Sequence, residues 1–181
     1  MTGGSLIEQL TSHLIVPVVV LDNADAAAPL ARALAAGGLP VAEITLRTPA
    51  ALDGISLIAA TPGLLVGAGS VISADQVDAA AAAGARFVVS PGLSRSVVER
   101  CRAHGIAALP GAVTATEVQA ALELGLGTLK FFPAATGGGP AALKALSGPF
   151  GQVKFVPTGG VSPANLADYL ALPNVAAIGG S

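Results

Sequence analysis

Short apolar runs alternate with alanine-rich stretches of helical periodicity along the whole chain. The apolar runs predict strands over 16–21, 41–45, 64–67, 87–90, 107–109, 128–132, 154–157 and 175–178. Between them, apolar residues recur at helical spacing over 24–36, 50–60, 74–83, 94–104, 115–124, 140–147 and 165–172. A further helix is expected ahead of the first strand, around 5–12. Gly37-Gly38, Gly84, Gly105 and Gly125 each follow a periodic segment and mark helix ends. Ser73 with Gln76 and Thr114 with Glu117, each three residues on, mark helix starts, and Ser94 ahead of Val97-Val98 marks another.

Strands of unbroken apolar character separated by helices predict a parallel sheet covered on both faces. Eight of them at this spacing favour an α/β (β/α)₈ TIM barrel over an open, doubly wound sheet. No charged or low-complexity linker interrupts the pattern, so residues 1–181 are expected to form a single domain. Gly137-Gly138-Gly139 reads as a loop after the sixth strand. The sequence stops at Ser181, directly after the eighth strand. A C-terminally short barrel is therefore expected, either lacking its eighth helix or covered there by the N-terminal one.

Composition narrows the function classes. Charged residues make up 11% of the 181, with a net charge of −2 and no lysine or arginine cluster, so nucleic acid is not an expected partner. No apolar run approaches the roughly 20 residues that span a bilayer, and no secretory pattern opens the sequence. A cytoplasmic protein without a membrane partner is the expectation. The single Cys101 shares a helix face with Val97 and Val98, which reads as a buried structural thiol. His13 and His104 are isolated, and no Cys, His or Asp spacing suggests a metal.

The candidate chemistry gathers where a barrel has its active face, at the C-terminal ends of the strands. Lys130 lies in the apolar run Thr128-Leu129-Lys130-Phe131-Phe132-Pro133. Burial disfavours its ammonium form, and a neutral amine can attack a carbonyl to give a Schiff base. A lysine stem that packs while its head reaches water is the alternative. Glu43 ends the second strand, and inward positions of strands two and six can meet across a barrel. A carboxylate there is either a proton shuttle for the amine or one half of a structural ion pair. Arg47 offers a fork for a carboxylate or phosphate, or else a surface salt bridge. The third strand ends in Gly67-Ala68-Gly69-Ser70 and the fourth in Ser90-Pro91-Gly92. Thr158-Gly159-Gly160 and Gly179-Gly180-Ser181 close the seventh and eighth, and as a pair of adjacent glycine loops they favour a phosphate site.

These segments together resemble one family. The sequence Glu43-Ile-Thr-Leu-Arg47-Thr, then Gly67-Ala-Gly-Ser, Ser90-Pro-Gly-Leu, Leu109-Pro-Gly111, Lys130-Phe-Phe-Pro-Ala, Pro157-Thr-Gly-Gly-Val-Ser-Pro-Ala-Asn165 and Ile178-Gly-Gly-Ser181 is similar to the 2-keto-3-deoxy-6-phosphogluconate (KDPG) aldolases. That family also contains 4-hydroxy-2-oxoglutarate (KHG) aldolases. The resemblance runs from Val16 to Ser181. It implies a class I aldolase on a (β/α)₈ barrel, a homotrimer, with no metal or organic cofactor. Its substrates would be a phosphorylated 2-keto-3-deoxy sugar acid and pyruvate. Lys130 then matches the Schiff-base lysine, Glu43 the acid/base residue, and Arg47 the group that binds the pyruvate carboxylate. Ser70 stands where threonine is usual, near that carboxylate, while Pro91 and Phe132 match residues around the imine. Thr158, Gly159, Gly160, Gly180 and Ser181 match the phosphate site. Ala135 replaces a common glutamate. KHG cleavage or oxaloacetate decarboxylation would use the same imine, and a non-catalytic oligomeric scaffold is the reading from a different class.

Overall fold

In a computed structural model, which describes residues 3–181 and side chains from Leu6 onward, every strand pairing is parallel. The strands are β1 (Ile15–Val19), β2 (Val41–Thr45), β3 (Leu65–Gly69), β4 (Phe87–Val89), β5 (Ala107–Leu109), β6 (Gly111–Ala112), β7 (Thr128–Phe131), β8 (Lys154–Pro157) and β9 (Ile178–Gly180). One sheet runs β5-β4-β3-β2-β1-β9 and the other β6-β7-β8. Only Pro110 separates β5 from β6, and at the opposite edge isolated bridges join Phe155 to Val175 and Thr158 to Gly179. The sheet is thus strongly curled. Proline has no backbone N–H for a ladder, but the Pro110 carbonyl still accepts from the Lys130 amide at 2.9 Å.

The helices are α1 (Gly3–Thr11), α2 (Ala27–Ala36, after a 3₁₀ turn at Ala24–Ala26), α3 (Ala51–Ala59), α4 (Ala74–Ala82), α5 (Arg95–Ala103), α6 (Ala115–Glu123), α7 (Gly139–Ser147) and α8 (Leu166–Leu170). They lie between successive strands, except α1, which precedes them all. Ends follow the sequence signals closely. Thr114 and Glu117 form a reciprocal capping box, and Ser73 accepts from the Gln76 amide. Ser94 does stand ahead of α5, but its hydroxyl pairs with that of Ser96 at 3.0 Å and caps no amide.

Three apolar clusters hold the layers. Two lie between sheet and helices: Ile44, Ile55, Ile58, Val77 and Cys101 centre one, and Phe131, Leu143, Phe155 and Tyr169 the other. Phe131 and Phe155 meet edge to face, 6.1 Å apart. The third fills the inside of the curl, where Val16, Val41, Phe87, Leu109 and Val156 are joined by Leu6 and Leu10 of α1. Burying each of those two leucines is worth about 1.5–3 kcal/mol, enough to dock α1 across the open end. The inside is therefore apolar at the end that α1 covers, and the charged side chains collect at the other.

Several boundaries differ from the periodicity: the first strand, expected over 16–21, is Ile15–Val19, and two further differences bear on the site. The last strand is Ile178–Gly180 rather than 175–178, because β1 pairs Ile15, Val16 and Pro17 with Ile178, Gly179 and Gly180. The third strand extends two residues further, to Gly69, where Thr45 faces it. No helix among the described residues is long and apolar enough to cross a membrane.

Candidate active site

Glu43 occupies the middle of β2, a strand whose five residues are all buried. Strand alternation sends its side chain inside the curl, and the register sets it between Val18 of β1 and Gly67 of β3. Its carboxylate lies against Gly69, where any Cβ would overlap Oε1, Cγ and Cδ. Glycine at 69 is what makes room for this acid. Lys130, on β7, comes in from the opposite side of the curl. Its Nζ stops 3.5 Å from Glu43 Oε1 and 5.0 Å from the centroid of the Phe132 ring.

Both groups are almost wholly buried, with side chains 7% exposed for Lys130 and 3% for Glu43. Burial pushes the Lys130 amine below its ordinary 10.5, against the attraction of Glu43, and the nearby Arg47 charge pushes the same way as burial. Burial pushes the Glu43 carboxyl above its ordinary 4.5, against the pull of Lys130 and Arg47. At 3.5 Å the contact is longer than a charge-assisted hydrogen bond, and Glu43 Oε1 has no hydrogen-bond partner among the described residues. Such a pair is poised to exchange a proton with a third group rather than locked on itself.

Arg47 follows β2 in a turn, and its Nε donates to Ser70 Oγ at 2.8 Å. Ser70 holds φ +58°, a left-handed conformation uncommon outside glycine, directly after β3. That turn aims the hydroxyl at the guanidinium. Opposite, Thr158 directly follows β8, with its hydroxyl donating to the Val156 carbonyl at 3.3 Å. Its side chain fills the space that a Cβ on Gly179 would need.

A cavity of about 180 Å³ opens between these two groups. Arg47, Lys130 and Phe132 line one side, and Thr158, Gly159, Gly160, Gly180 and Ser181 the other. Eight of the eleven residues singled out in the sequence thus face one cavity. Glu43 lies behind Lys130, and Ser70 behind Arg47. Pro91 is exposed and does not line the cavity: its carbonyl packs where a side chain on Gly111 would be. Gly179, part of the last glycine loop read in the sequence, lines it too, as do Val18, Val20 and Val161, which were not singled out. Alternation along β1 from the buried Val16 is the signal that would have found Val18 and Val20.

The other features lie apart. Cys101 is buried in the core, and burial pushes its thiol up to about 12, as befits an inert structural thiol. His104 is not isolated: its Nε2 sits 2.6 Å from Asp78 Oδ1, beside an open groove of about 460 Å³ that holds none of the singled-out residues.

This arrangement has close counterparts. The family model described as KDPG and KHG aldolase matches residues 6–181. A 2-dehydro-3-deoxy-phosphogluconate aldolase of Haemophilus influenzae is 47% identical over 181 residues, covering 99% of this chain and 85% of that protein. Among solved structures, the KDPG aldolase of Legionella pneumophila, with pyruvate captured at low pH as a covalent carbinolamine intermediate, superposes with a TM-score of 0.94. It is 44% identical, and the match covers all of this chain and 87% of that one. The 2-keto-3-deoxy-6-phosphogluconate aldolase of Zymomonas mobilis with 3-phosphoglycerate gives a TM-score of 0.91 at 44% identity, covering 96% and 84%.

Proposed function

The chain belongs to the KDPG and KHG aldolase family, and from that premise we propose that it is a class I aldolase cleaving 2-keto-3-deoxy-6-phosphogluconate to pyruvate and glyceraldehyde 3-phosphate. The observation that carries this reading is the buried pair at the base of the cavity, Lys130 Nζ 3.5 Å from Glu43 Oε1. The relative whose structure holds pyruvate as a carbinolamine supports the same chemistry here.

In this reading Lys130 attacks the C2 ketone as the neutral amine that burial favours. The carbinolamine loses water, and the resulting iminium is the electron sink. Glu43, as carboxylate, takes the C4 hydroxyl proton through a water molecule. The C3–C4 bond breaks, its electrons pass into the enamine, and C4 leaves as the aldehyde of glyceraldehyde 3-phosphate. Glu43 returns a proton to C3, and water hydrolyses the imine to pyruvate and free Lys130. Its raised carboxyl value suits it to holding the proton between those two steps. Arg47, braced by Ser70, binds the pyruvate carboxylate, and Phe132 packs beside the imine. Thr158, Gly159, Gly160, Gly180 and Ser181 receive the phosphate. No metal or organic cofactor enters any of these steps.

The same reading takes the curled sheet as a closed (β/α)₈ barrel in one domain over 1–181, with β5 and β6 as one strand interrupted at Pro110 and α1 as the added helix at its base. By resemblance to the family it extends to a homotrimer in the cytoplasm.

The test is pyruvate release, coupled to lactate dehydrogenase, from the phosphorylated six-carbon acid and from 4-hydroxy-2-oxoglutarate. A higher specificity constant for the phosphorylated acid, with competition by inorganic phosphate, is the expected result. Equal constants without phosphate competition would move the assignment to KHG cleavage.

A further inference from the structure

We infer that Asn165, which touches neither end of the imine chemistry, is the positioning residue that gives the phosphate loop one of its free donors, the Val161 amide. Three consecutive carbonyls of this loop are held from outside the cavity. Thr158 O accepts from the Ala134 amide at 2.8 Å, Gly159 O from the Ala135 amide at 3.0 Å, and Gly160 O from Asn165 Nδ2 at 2.9 Å. Asn165 Oδ1 also accepts from the Ser162 amide at 2.8 Å, so one side-chain amide spans the loop on both sides of Val161.

The consequence follows from the peptide unit. In a trans peptide the carbonyl and the following N–H point in opposite directions. The bond from Ala135 to Gly159 O therefore turns the Gly160 N–H the other way, and the bond from Asn165 to Gly160 O does the same for the Val161 N–H. Gly160 and Val161 both line the cavity, and neither amide donates to an acceptor among the described residues. The next amide, Ser162, is already taken by Asn165 itself. Gly160 and Val161 thus offer two adjacent donors. Ala135 holds the first through its backbone, which only a proline there would remove, and Asn165 holds the second through its side chain. Gly159 and Gly160, at φ +91° and +79°, give the loop the left-handed turn that Asn165 then fixes.

This inference rests on the phosphate reading of the cavity given above. Asn165→Ala frees the Gly160 carbonyl and lets the following peptide rotate. Asn165→Ser is neutral and too short to reach Gly160 O, so it loses that donor without placing a charge beside the phosphate loop. The readouts are KM and kcat for the phosphorylated six-carbon acid, inhibition by inorganic phosphate, and the thermal midpoint. For both variants, KM and the phosphate inhibition constant should rise together by roughly 10- to 100-fold, the worth of one hydrogen bond to a charged group. The change should fall on KM, with kcat held within about twofold. If Asn165→Ala does not fold, Asn165→Ser decides alone. If a folded variant keeps the parent's KM and phosphate inhibition, the positioning role is wrong. If kcat falls while KM holds, the residue acts on the chemistry and the inference is equally overturned. If the parent protein is itself insensitive to phosphate, the failure lies in the phosphate reading.

Discussion

The two walls of the cavity are built from different materials. One carries charged side chains: Lys130, with Glu43 behind it, and Arg47, braced by Ser70. The other carries almost none. Thr158 contributes a hydroxyl already bonded to Val156, and the rest is backbone at Gly159, Gly160, Val161, Gly179, Gly180 and Ser181. The difference fits two tasks. Making and breaking covalent bonds needs groups whose proton affinity can be set, and burial sets it for Lys130 and Glu43. Holding a doubly charged phosphate needs several donors at close range, which backbone amides supply without adding a titratable group. Substitutions on the first wall should therefore change turnover and its pH dependence, and those on the second should change affinity for the phosphorylated end.

The largest effect expected from this contrast is at Glu43. Glu43→Gln keeps the shape and removes the base, so turnover should fall by ~10²–10⁴-fold while pyruvate still forms an imine. The same variant shifts the lysine. Attraction to Glu43 holds the Lys130 amine up, and burial holds it down. Removing that attraction lowers the value further, so the neutral, reactive amine persists to lower pH. Imine formation in the parent should rise with pH to an inflection below 10.5, and in Glu43→Gln the inflection should lie lower still. An unmoved inflection would mean that the two groups are not coupled.

A glycine on the second wall gives the next test. In Gly179→Ala the new methyl group meets the Thr158 side chain, an overpacking that costs ~1–3 kcal/mol. Affinity for the phosphorylated acid should fall, and the pH profile of turnover should not move. A shifted profile would show that the backbone wall also tunes the chemistry. Arg47→Lys should raise the KM for substrate by roughly tenfold or more, because an ammonium cannot reproduce the guanidinium fork. Ser70→Ala removes only the brace on Arg47, at an exposed site, and a roughly two- to tenfold rise is expected. If Ser70→Ala equals Arg47→Lys, the serine hydroxyl binds substrate itself.

The same contrast explains what the sequence made legible. A lysine in an apolar strand or a glutamate in a buried one contradicts its surroundings, so Lys130 and Glu43 stand out before any coordinates exist. The second strand and the fifth were found at their observed limits, because unbroken apolar runs bounded by turns leave little choice. The eighth run was misplaced because its ladder residues include Gly179 and Gly180, which have no strand preference and pair with β1 only in the assembled sheet. Asn165 closes a motif read in the sequence yet has no role legible there, for a related reason. An asparagine in a loop is unremarkable until the fold brings Gly160 O and Ser162 N to its two ends. Pro91 shows the converse: its motif pointed to the pocket, yet the observed turn leaves it exposed and outside the cavity.

The central claim is that the buried Lys130 amine is the one that forms the imine. Borohydride reduction in the presence of pyruvate, followed by peptide mass mapping, tests it most directly. Lys130 carries the reduced pyruvate adduct in the parent, Lys144 and Lys154 do not, and the adduct is absent from Lys130→Ala. An adduct on either of the other lysines at the parent's rate, or labelling that survives Lys130→Ala, would contradict the account.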